Sequence, residues 1–485
     1  MLKKNIFFNF LLSVSQILFS VIIFPFASRT LGPDGIGSVV FIDSITQIFL
    51  LIAALGIPIY GVREISKVKD DPDQLSSLFS ELVTIHMICT AIFVVTYVLA
   101  GIFIGKINTH LNLVLIGAFI LICNVFTIEW FFQGIEQFTY ITKRTLLVRG
   151  LFLILLFGFV HHKGDEPVYY GLTAASYFFN ALFNFIYSKK IIRLSFKHLN
   201  LKKHVKPLLV ILCSNIVITV YLLMDNTILG FLKGEVPVGF YSTAVKIAKI
   251  SITIVTALGA VLIPQISQAF KKGDHSRIQL LINKSFNFVC TFGIPISVGI
   301  IIMAPFIITT LVGKSFSQSI VPLQILSPII FIIGATNVFA WQILSPLGND
   351  KKVLIVVLCG MVVSLSINFA VIPTFSANGA AFANICTELV VMLLSFYFVY
   401  RLKVVAISAK PIFSAALGSG VFFLIAYIAR KLFSDNIITE ISIMLSCVIF
   451  YAIYQIKIIK NEIIFSIIHA GKNKISNVFN HNKLL

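Results

Sequence analysis

Charged residues are scarce in this chain of 485 residues. Lys, Arg, Asp and Glu together make up 12% of it, hydrophobic residues make up 58%, and the mean hydropathy is +0.98. Soluble domains carry roughly 25% charged residues. An ordinary soluble protein is therefore excluded, and the composition predicts an all-α integral membrane protein.

Motifs for metal, redox and nucleotide chemistry are also lacking. All seven cysteines lie in apolar runs and none has CxxC spacing, so neither a metal site nor a disulfide is indicated. GxxxxGK[ST], HExxH and GxSxG are absent from the sequence. Direct use of ATP and the corresponding hydrolases are thereby excluded, and no cofactor is predicted.

Long loops are missing as well, so no extramembrane domain is available to hold a soluble active site. About fourteen apolar segments have the roughly 17–25 residues that a membrane-spanning helix needs. The predicted spans are 6–28, 36–61, 80–104, 111–133, 145–162, 168–188, 207–232, 239–269, 285–313, 319–346, 353–376, 377–400, 411–433 and 437–456. The longest connections are 62–79, 189–206 and 271–284.

The formal net charge of +19 reflects Lys and Arg residues that lie mainly in loops on one side of the membrane in the predicted topology. If the chain alternates through fourteen spans from a cytoplasmic N-terminus, most Lys and Arg residues fall on the cytoplasmic side. Those on the opposite side are Arg29, Lys106, Lys163, Lys233, Lys314, Arg430 and Lys431. This bias predicts that both termini lie in the cytoplasm. It also predicts contact with anionic membrane lipids, with no role for nucleic acid.

Similar features recur at a spacing near 200 residues. Leu31-Gly32 matches Leu229-Gly230, and Ile57-Pro58 matches Ile263-Pro264. The repeat predicts two six-helix lobes related by an axis along the membrane normal, with a substrate site between them. The predicted boundaries are 1–200 for the N-lobe, 201–405 for the C-lobe, 406–460 for two accessory spans and 461–485 for a cytoplasmic basic tail.

Two lysines lie inside the apolar run 239–269. A cation at membrane depth is unfavourable by roughly 2.5–3.5 kcal/mol on insertion scales, so it normally faces a polar cavity or a partner. Spacings of four, three, four and three residues place one set of side chains on a single helical face. The set is Ser242, Lys246, Lys249, Thr253 and Thr256. This stripe favours a pathway for an anion; the alternative is that both lysines snorkel to an interface.

Two further spans carry polar stripes. The first span has Asn9, Ser13, Gln16 and Ser20, and the seventh has Asn215, Thr219 and Asn226. Such residues often serve only as interhelical packing contacts. Taken together, the three stripes predict one central polar cavity, with Asn215 among the substrate-binding residues.

Ionisable residues in or near the predicted spans are candidates for function. They are Arg29, Asp43, Glu64, Glu81, Glu129, Arg149, Asp225, Lys246, Lys249 and Glu388. Arg29 either pairs with Asp43 or binds phosphate oxygens, for which a guanidinium fork is well matched. Asp225, Glu129 and Glu388 either pair with Lys246, Lys249 or Arg149, or bind a coupling proton or cation.

Several segments resemble one known family. ASRTLGPDGIG at 27–37, EWFFQGIE at 129–136, DNTILG at 225–230, VGFYSTA at 238–244 and LGNDK at 347–351 are similar to signatures of Wzx-type flippases. These form the polysaccharide-transport branch of the multidrug/oligosaccharidyl-lipid/polysaccharide (MOP) exporter superfamily. The resemblance covers about residues 5–400.

The resemblance implies a V-shaped pair of six-helix lobes with two additional helices, a location in the bacterial inner membrane, and no enzymatic activity. It implies that undecaprenyl-pyrophosphate-linked oligosaccharide, an O-antigen, capsule or exopolysaccharide unit, moves from the inner to the outer leaflet by alternating access, coupled to an ion. Substrate binding is expected at Arg29, Lys246, Lys249, Arg149 and Asn215. Ion coupling or charge pairing is expected at Asp43, Asp225, Glu129 and Glu388. A polysaccharide polymerase and a chain-length regulator are the partners implied by such a pathway.

Two other functions fit the composition less well. A drug or cation exporter of the same superfamily (the MATE branch) would favour an acidic cavity, whereas the stripe at 242–256 is cationic. A membrane polysaccharide polymerase would need a sizeable outward loop with catalytic residues, and the outward loops here are short.

Overall fold

The computed structural model describes residues 2–195, 199–433 and 436–461, and the regular elements in these ranges are helices. They are α1 (Leu2–Ala54), α2 (Ile57–Val68), α3 (Pro72–Phe103), α4 (Gly105–Asn108), α5 (Leu111–Asn124), α6 (Glu129–Gly134), α7 (Phe138–Phe159), α8 (Glu166–Ser188), α9 (Lys202–Lys233), α10 (Glu235–Lys272), α11 (His275–Ile307), α12 (Ile320–Leu326), α13 (Ile329–Thr336), α14 (Asp350–Leu402), α15 (Lys410–Leu432) and α16 (Ile437–Ile453). Short π or 3-10 turns follow α11, α13 and α16. The predicted basic tail, apart from residue 461, lies outside the described residues.

The two longest helices each contain a break. α1 and α14 have 53 residues each, or about 80 Å of helix, against roughly 30 Å of hydrocarbon in a bilayer. α1 is interrupted at Gly32 (φ 74°, ψ −179°) and α14 at Ser376 (φ 53°, ψ −128°). If each is counted as two spans, the helices agree approximately with the fourteen predicted from sequence, and the all-α membrane class is confirmed.

Eight helical segments within the described ranges are long and apolar enough to cross a membrane, two of them containing these breaks. A ninth is obtained if the bent pair Lys314–Leu326 and Ile329–Leu344, which meet at 43°, forms one span. The chain is thus a multi-pass membrane protein.

Several predicted limits need correction. The second span was expected to run to residue 61 with a loop over 62–79, but a turn at Leu55-Gly56 ends α1, and α2 and α3 occupy most of that loop. Asp71 caps α3, because its carboxylate accepts from the backbone N–H groups of Asp73 and Gln74 at 3.1 and 3.0 Å. The fourth and tenth spans are also interrupted. Hydropathy averaged over a window registers neither caps nor turns, which explains these differences.

The chain divides into two compact units. Unit 1 comprises Met1–Ser242, Leu311–Phe316 and Leu365–Ala380, and unit 2 comprises Thr243–Thr310, Ser317–Ser364 and Ala381–Leu485. α9, which the sequence assigns to the second lobe, packs on α1 inside unit 1. The division into two six-helix lobes with two accessory spans remains a prediction.

Each unit has its own apolar core. In unit 1, α2, α3 and α6 bury aromatic rings against one another, with Phe79 stacked on Trp130 at 5.6 Å and edge-on to Phe131 at 4.9 Å. In unit 2, α15 and α16 pack on α11 through Phe422, Ile443 and Tyr451. These cores hold the helices that carry the polar side chains described below.

Glycines allow α1 to approach α10 closely within unit 1. Gly37 lies against the backbone of Glu235 and Gly239, and Gly239 lies against the carbonyl of Pro33. A Cβ at either glycine would overlap a main-chain carbonyl, which cannot move aside as a side-chain tip can. Small residues at helix crossings in membranes allow this kind of backbone contact.

We therefore expect Gly37→Ala to destabilise the protein by about 1–3 kcal/mol or more, since the two backbones must separate. Gly150→Ala in α7 is the matched control, because a Cβ there meets no atom within 4 Å and alanine favours a helix by roughly 0.5–1 kcal/mol. Thermal unfolding of the purified variants in one detergent measures the difference. Equal midpoints for the two variants would show that the close approach is unimportant.

Candidate functional site

Asp43 is the centre of a polar network inside unit 1. Its Oδ1 accepts from Gln47 Nε2 at 3.3 Å and lies 3.3 Å from the hydroxyl of Tyr170 on α8. That hydroxyl is also 3.1 Å from Thr46 Oγ1, which lies 2.8 Å from the hydroxyl of Tyr97 on α3. The network thus connects a half-buried carboxylate on α1 with two tyrosines on neighbouring helices.

The proton positions in this network are constrained. The Thr46 hydroxyl donates to the carbonyl of Ile42 at 2.9 Å, so it accepts from the tyrosines. Tyr170 has one proton, which it gives either to Asp43 or to Thr46. If Asp43 is protonated, it donates to Tyr170, and Tyr170 then donates to Thr46. The same side chains therefore satisfy either charge state of Asp43.

Asp225 on α9 is buried, with 3% of its surface exposed. Its Oδ2 accepts from the Tyr241 hydroxyl at 2.6 Å, and its Oδ1 accepts from Asn368 Nδ2 at 2.7 Å. Tyr241 belongs to the start of α10 and Asn368 to the part of α14 that lies in unit 1. Because both oxygens are bonded, this carboxylate is well placed to hold three helices together.

Glu129 pairs with Arg144 on α7, a partner that the sequence argument had not considered. The Arg144 guanidinium also donates to Asn184 Oδ1 at 2.5 Å, and Asn184 Nδ2 donates to the carbonyl of Thr127. Arg144 is buried, whereas about half of the Glu129 side chain is exposed. The ion pair and amide thus join α6 to α7 and α8.

The predicted substrate-binding residues of unit 1 lie on several helices. Arg29 is exposed, and its Nε donates to the carbonyl of Leu311 at 3.1 Å. Arg149 is half-buried on α7 and donates to Ser15 Oγ at 2.7 Å. Asn215 is half-buried on α9. Asn9, Ser13 and Gln16 of the first stripe lie outside the described side chains.

In unit 2, Lys246 and Lys249 are both exposed on α10. Thr253, one turn further, is also exposed, and Thr256 is half-buried. The middle residues of the stripe therefore do not pack in the core of unit 2. Glu388, on the part of α14 in unit 2, is 7% exposed. Of the nine residues predicted from sequence, these three belong to unit 2 and the other six to unit 1. Their roles remain predictions.

Sequence reasoning missed the tyrosines and the amide that complete these networks. Tyr97, Tyr170 and Asn184 sit in apolar spans, where aromatic and amide side chains are easily taken as packing. A signal was present on α8, where Thr173, Tyr177, Asn180 and Asn184 repeat the four-three-four spacing used for the other stripes. In the described part of the chain, no three His, Cys, Asp or Glu side chains are grouped so as to hold a metal ion.

The fold resembles those of two transporters of known structure. The structure matches the lipid II flippase MurJ in an inward closed conformation with a TM-score of 0.73, over 93% of this chain and 98% of that one, at 13% identity. It matches an inward-facing multidrug resistance MATE family transporter of the MOP superfamily with a TM-score of 0.68, over 80% of this chain and 94% of that one, at 14% identity.

Sequence comparison identifies the family. A model described as polysaccharide biosynthesis protein matches residues 2–270, more than half of the chain, and the MatE model matches 211–370. The chain belongs to the polysaccharide biosynthesis protein family, and its resemblance to Wzx-type flippases is confirmed. The relatives that it matches are named as transporters and not as enzymes.

Two named relatives are matched over nearly their whole length. A protein of Escherichia coli K12 named "Putative O-antigen transporter" is 23% identical over 407 residues, which is 83% of this chain and 97% of that protein. A protein of the same name from Shigella dysenteriae is 20% identical over 395 residues, 81% of this chain and 98% of its own length.

The geometry at Asp225 predicts a stability effect for Tyr241→Phe. The substitution removes the 2.6 Å hydrogen bond and leaves a buried carboxylate oxygen less well satisfied, which costs about 1–3 kcal/mol. Tyr427→Phe is the control, because that ring is 64% exposed. Thermal unfolding in detergent compares the two. If Tyr241→Phe unfolds at the wild-type midpoint, Asp225 does not hold these helices in place.

Proposed function

We propose that this protein is a flippase for undecaprenyl-pyrophosphate-linked oligosaccharide and moves repeat units of a surface polysaccharide from the inner to the outer leaflet. Undecaprenyl-pyrophosphate is the carrier implied by the resemblance to Wzx-type flippases. The observation that carries the proposal is the match to the Escherichia coli protein named "Putative O-antigen transporter" over 97% of that protein's length. Both termini are proposed to lie in the cytoplasm, because the Lys and Arg distribution favours that topology.

The exposed lysines of α10 suit the charged part of such a substrate. A pyrophosphate crossing roughly 30 Å of hydrocarbon needs a polar and cationic environment, since an unpaired charge is very unfavourable there. Lys246 and Lys249 lie one turn apart on one face and are exposed, so they can contact an anion directly. The polyprenyl tail is expected to remain in lipid.

Arg29 and Arg149 are proposed to add further cationic contacts, and Asn215 to bind sugar hydroxyls. A guanidinium offers paired donors that match phosphate oxygens. Glu129 and Glu388 are proposed as charge partners within their own units, and Asp225 as a structural carboxylate. Polysaccharide polymerase and chain-length regulator remain the partners that the family resemblance implies.

Transport is proposed to proceed by alternating access coupled to protons. Asp43 suits the coupling role because Tyr170 and Thr46 satisfy the carboxylate and the carboxylic acid equally well. A site that tolerates both charge states can bind and release a proton without leaving a buried polar group unpaired. This step rests on the hydrogen bonds around Asp43 in unit 1.

A second candidate is a cation exporter of the MATE branch. It is favoured by the match of the MatE model to residues 211–370. The exposed lysines of α10 oppose it, because they would repel a cationic substrate. Restored surface glycan in a strain without its own flippase separates the two functions.

Glycan export should depend on the lysines of α10. Lys246→Ala and Lys249→Ala should each lower glycan export about tenfold or more, because each removes a charge-assisted contact worth about 1.5–3 kcal/mol. Lys246→Arg keeps the charge and should retain more activity than Lys246→Ala. Surface glycan is measured by complementation at equal membrane abundance.

Lys271→Ala is the matched control, since Lys271 is exposed in the last turn of the same helix. It removes the same charge outside the stripe and should leave export near the wild-type level. Full activity of both alanine variants of the stripe would contradict a cationic substrate path.

Stimulation of transport by a proton gradient should depend on Asp43. Asp43→Asn keeps a carbonyl acceptor for Tyr170 but cannot be deprotonated, so we expect it to bind substrate while losing stimulation by a proton gradient. Proteoliposomes containing lipid-linked oligosaccharide, with and without an imposed gradient, provide the measurement. Asp34→Asn, at an exposed position on the same helix, should remain gradient-dependent. Persistent stimulation of Asp43→Asn would exclude Asp43 as the coupling group.

A further inference from the structure

A pocket of about 300 Å³ lies between the start of α7 and the end of α8, within unit 1. Its walls are formed by carbon atoms of Tyr140, Tyr187, Leu147, Phe183 and Ile186, and lysines border it. The two tyrosine rings stack at 4.1 Å and 12°. None of the nine candidate transport residues lines this pocket.

The charge at the pocket is positive. Lys143 on α7 and Lys190, just beyond α8, line it and are exposed. Arg144 also lines it, but its charge is already offset by Glu129 behind it. No acidic residue is among the described residues that line the pocket. The pocket therefore attracts an anion.

Polar atoms in the same walls lack partners. Within the described structure, the Tyr140 hydroxyl and Arg144 Nε are buried and form no hydrogen bond. Buried polar groups are almost always bonded, so each such exception needs a physical account. Both atoms belong to residues that line the pocket, so a bound oxyanion is a candidate acceptor for them.

The order of side chains along the helices fits an amphipathic ligand. Leu147 follows Lys143 by one turn of α7, while Ile186 and Phe183 precede Lys190 by one and two turns. Leu147 and Ile186 are 57% and 52% exposed, so apolar surface continues away from the charged end. Along both helices the lysine is thus followed by apolar side chains, as the phosphate of a lipid is followed by its acyl chains with increasing depth in a leaflet.

We propose that this pocket binds an anionic phospholipid, with its phosphate between Lys143 and Lys190 and an acyl chain along Leu147, Phe183 and Ile186. The charge distribution of the chain places these lysines on the cytoplasmic side, where anionic headgroups attract basic residues. Such a lipid site requires Lys143 and Lys190 to lie on the cytoplasmic side of the membrane, whatever substrate the protein transports.

The test uses delipidated full-length protein in detergent, titrated with phosphatidylglycerol, phosphatidylcholine or polyprenyl phosphate. Bound lipid is counted by native mass spectrometry, and thermal unfolding is followed in parallel. Wild type should retain phosphatidylglycerol in preference to phosphatidylcholine. Lys143→Ala combined with Lys190→Ala should weaken that binding about twenty-five-fold, at about fivefold per lysine.

Lys271→Ala combined with Lys272→Ala removes two exposed charges from the end of α10 and should stay within about twofold of wild type. Tyr140→Phe keeps the ring but removes the unpartnered hydroxyl. It should weaken phosphatidylglycerol binding severalfold, while the delipidated protein unfolds at the wild-type temperature or above. This second readout separates loss of binding from misfolding.

Wild-type affinity of the Lys143/Lys190 double variant for phosphatidylglycerol would overturn the proposal. Equal loss in the Lys271/Lys272 control would also overturn it, because the effect would then be one of general charge. Preference of the wild-type pocket for polyprenyl phosphate over phosphatidylglycerol would reject a phospholipid site and assign the pocket to lipid-linked substrate.

Discussion

The absence of water from the bilayer core is the constraint on which this structure depends. Backbone groups must be bonded within each segment, which requires helices, and every polar side chain needs a protein partner, a ligand or a polar opening. Asp225 shows the requirement met: Tyr241 and Asn368 bond both of its oxygens. Arg144, buried just before the predicted span 145–162, meets it in part, because Glu129 and Asn184 bond its terminal nitrogens while Nε has no partner in the described structure.

The polar groups differ in how completely hydrogen bonds within the protein satisfy them. This difference distinguishes residues proposed to hold the fold from residues proposed to take part in transport. A buried carboxylate with both oxygens hydrogen-bonded, such as Asp225, stabilises helix packing and is poorly suited to binding and releasing a proton. Asp43 shares one tyrosine proton with Thr46, so its surroundings fit two charge states. Lys246 and Lys249 are exposed on α10. The proposed roles follow this difference: Asp225 holds the fold, Asp43 carries a proton, and Lys246 and Lys249 bind the substrate.

Close helix packing also depends on side chains that are absent. Gly37 and Gly239 let the backbones of α1 and α10 meet, and a methyl group at either would overlap a carbonyl. Gly32 permits the break that divides α1 into two spans, because its φ of 74° is readily accessible to glycine. At Ser376 the same kind of break in α14 uses a residue that rarely adopts positive φ, and it falls at the predicted boundary between the spans 353–376 and 377–400.

Much of this protein was determined by sequence alone. Apolar run lengths predicted the all-α membrane class and the approximate number of spans, because helix rise and bilayer thickness leave few alternatives. The motifs at 27–37 and 129–136 predicted the family. Only the tertiary structure decided that Glu129 pairs with Arg144, that Tyr170 lies between Asp43 and Thr46, and that Tyr140 and Tyr187 stack beside two lysines. Those contacts join residues 15 to 127 positions apart in the sequence, and single-sequence periodicity describes one helix at a time. Which helix faces meet is decided by side-chain packing between helices.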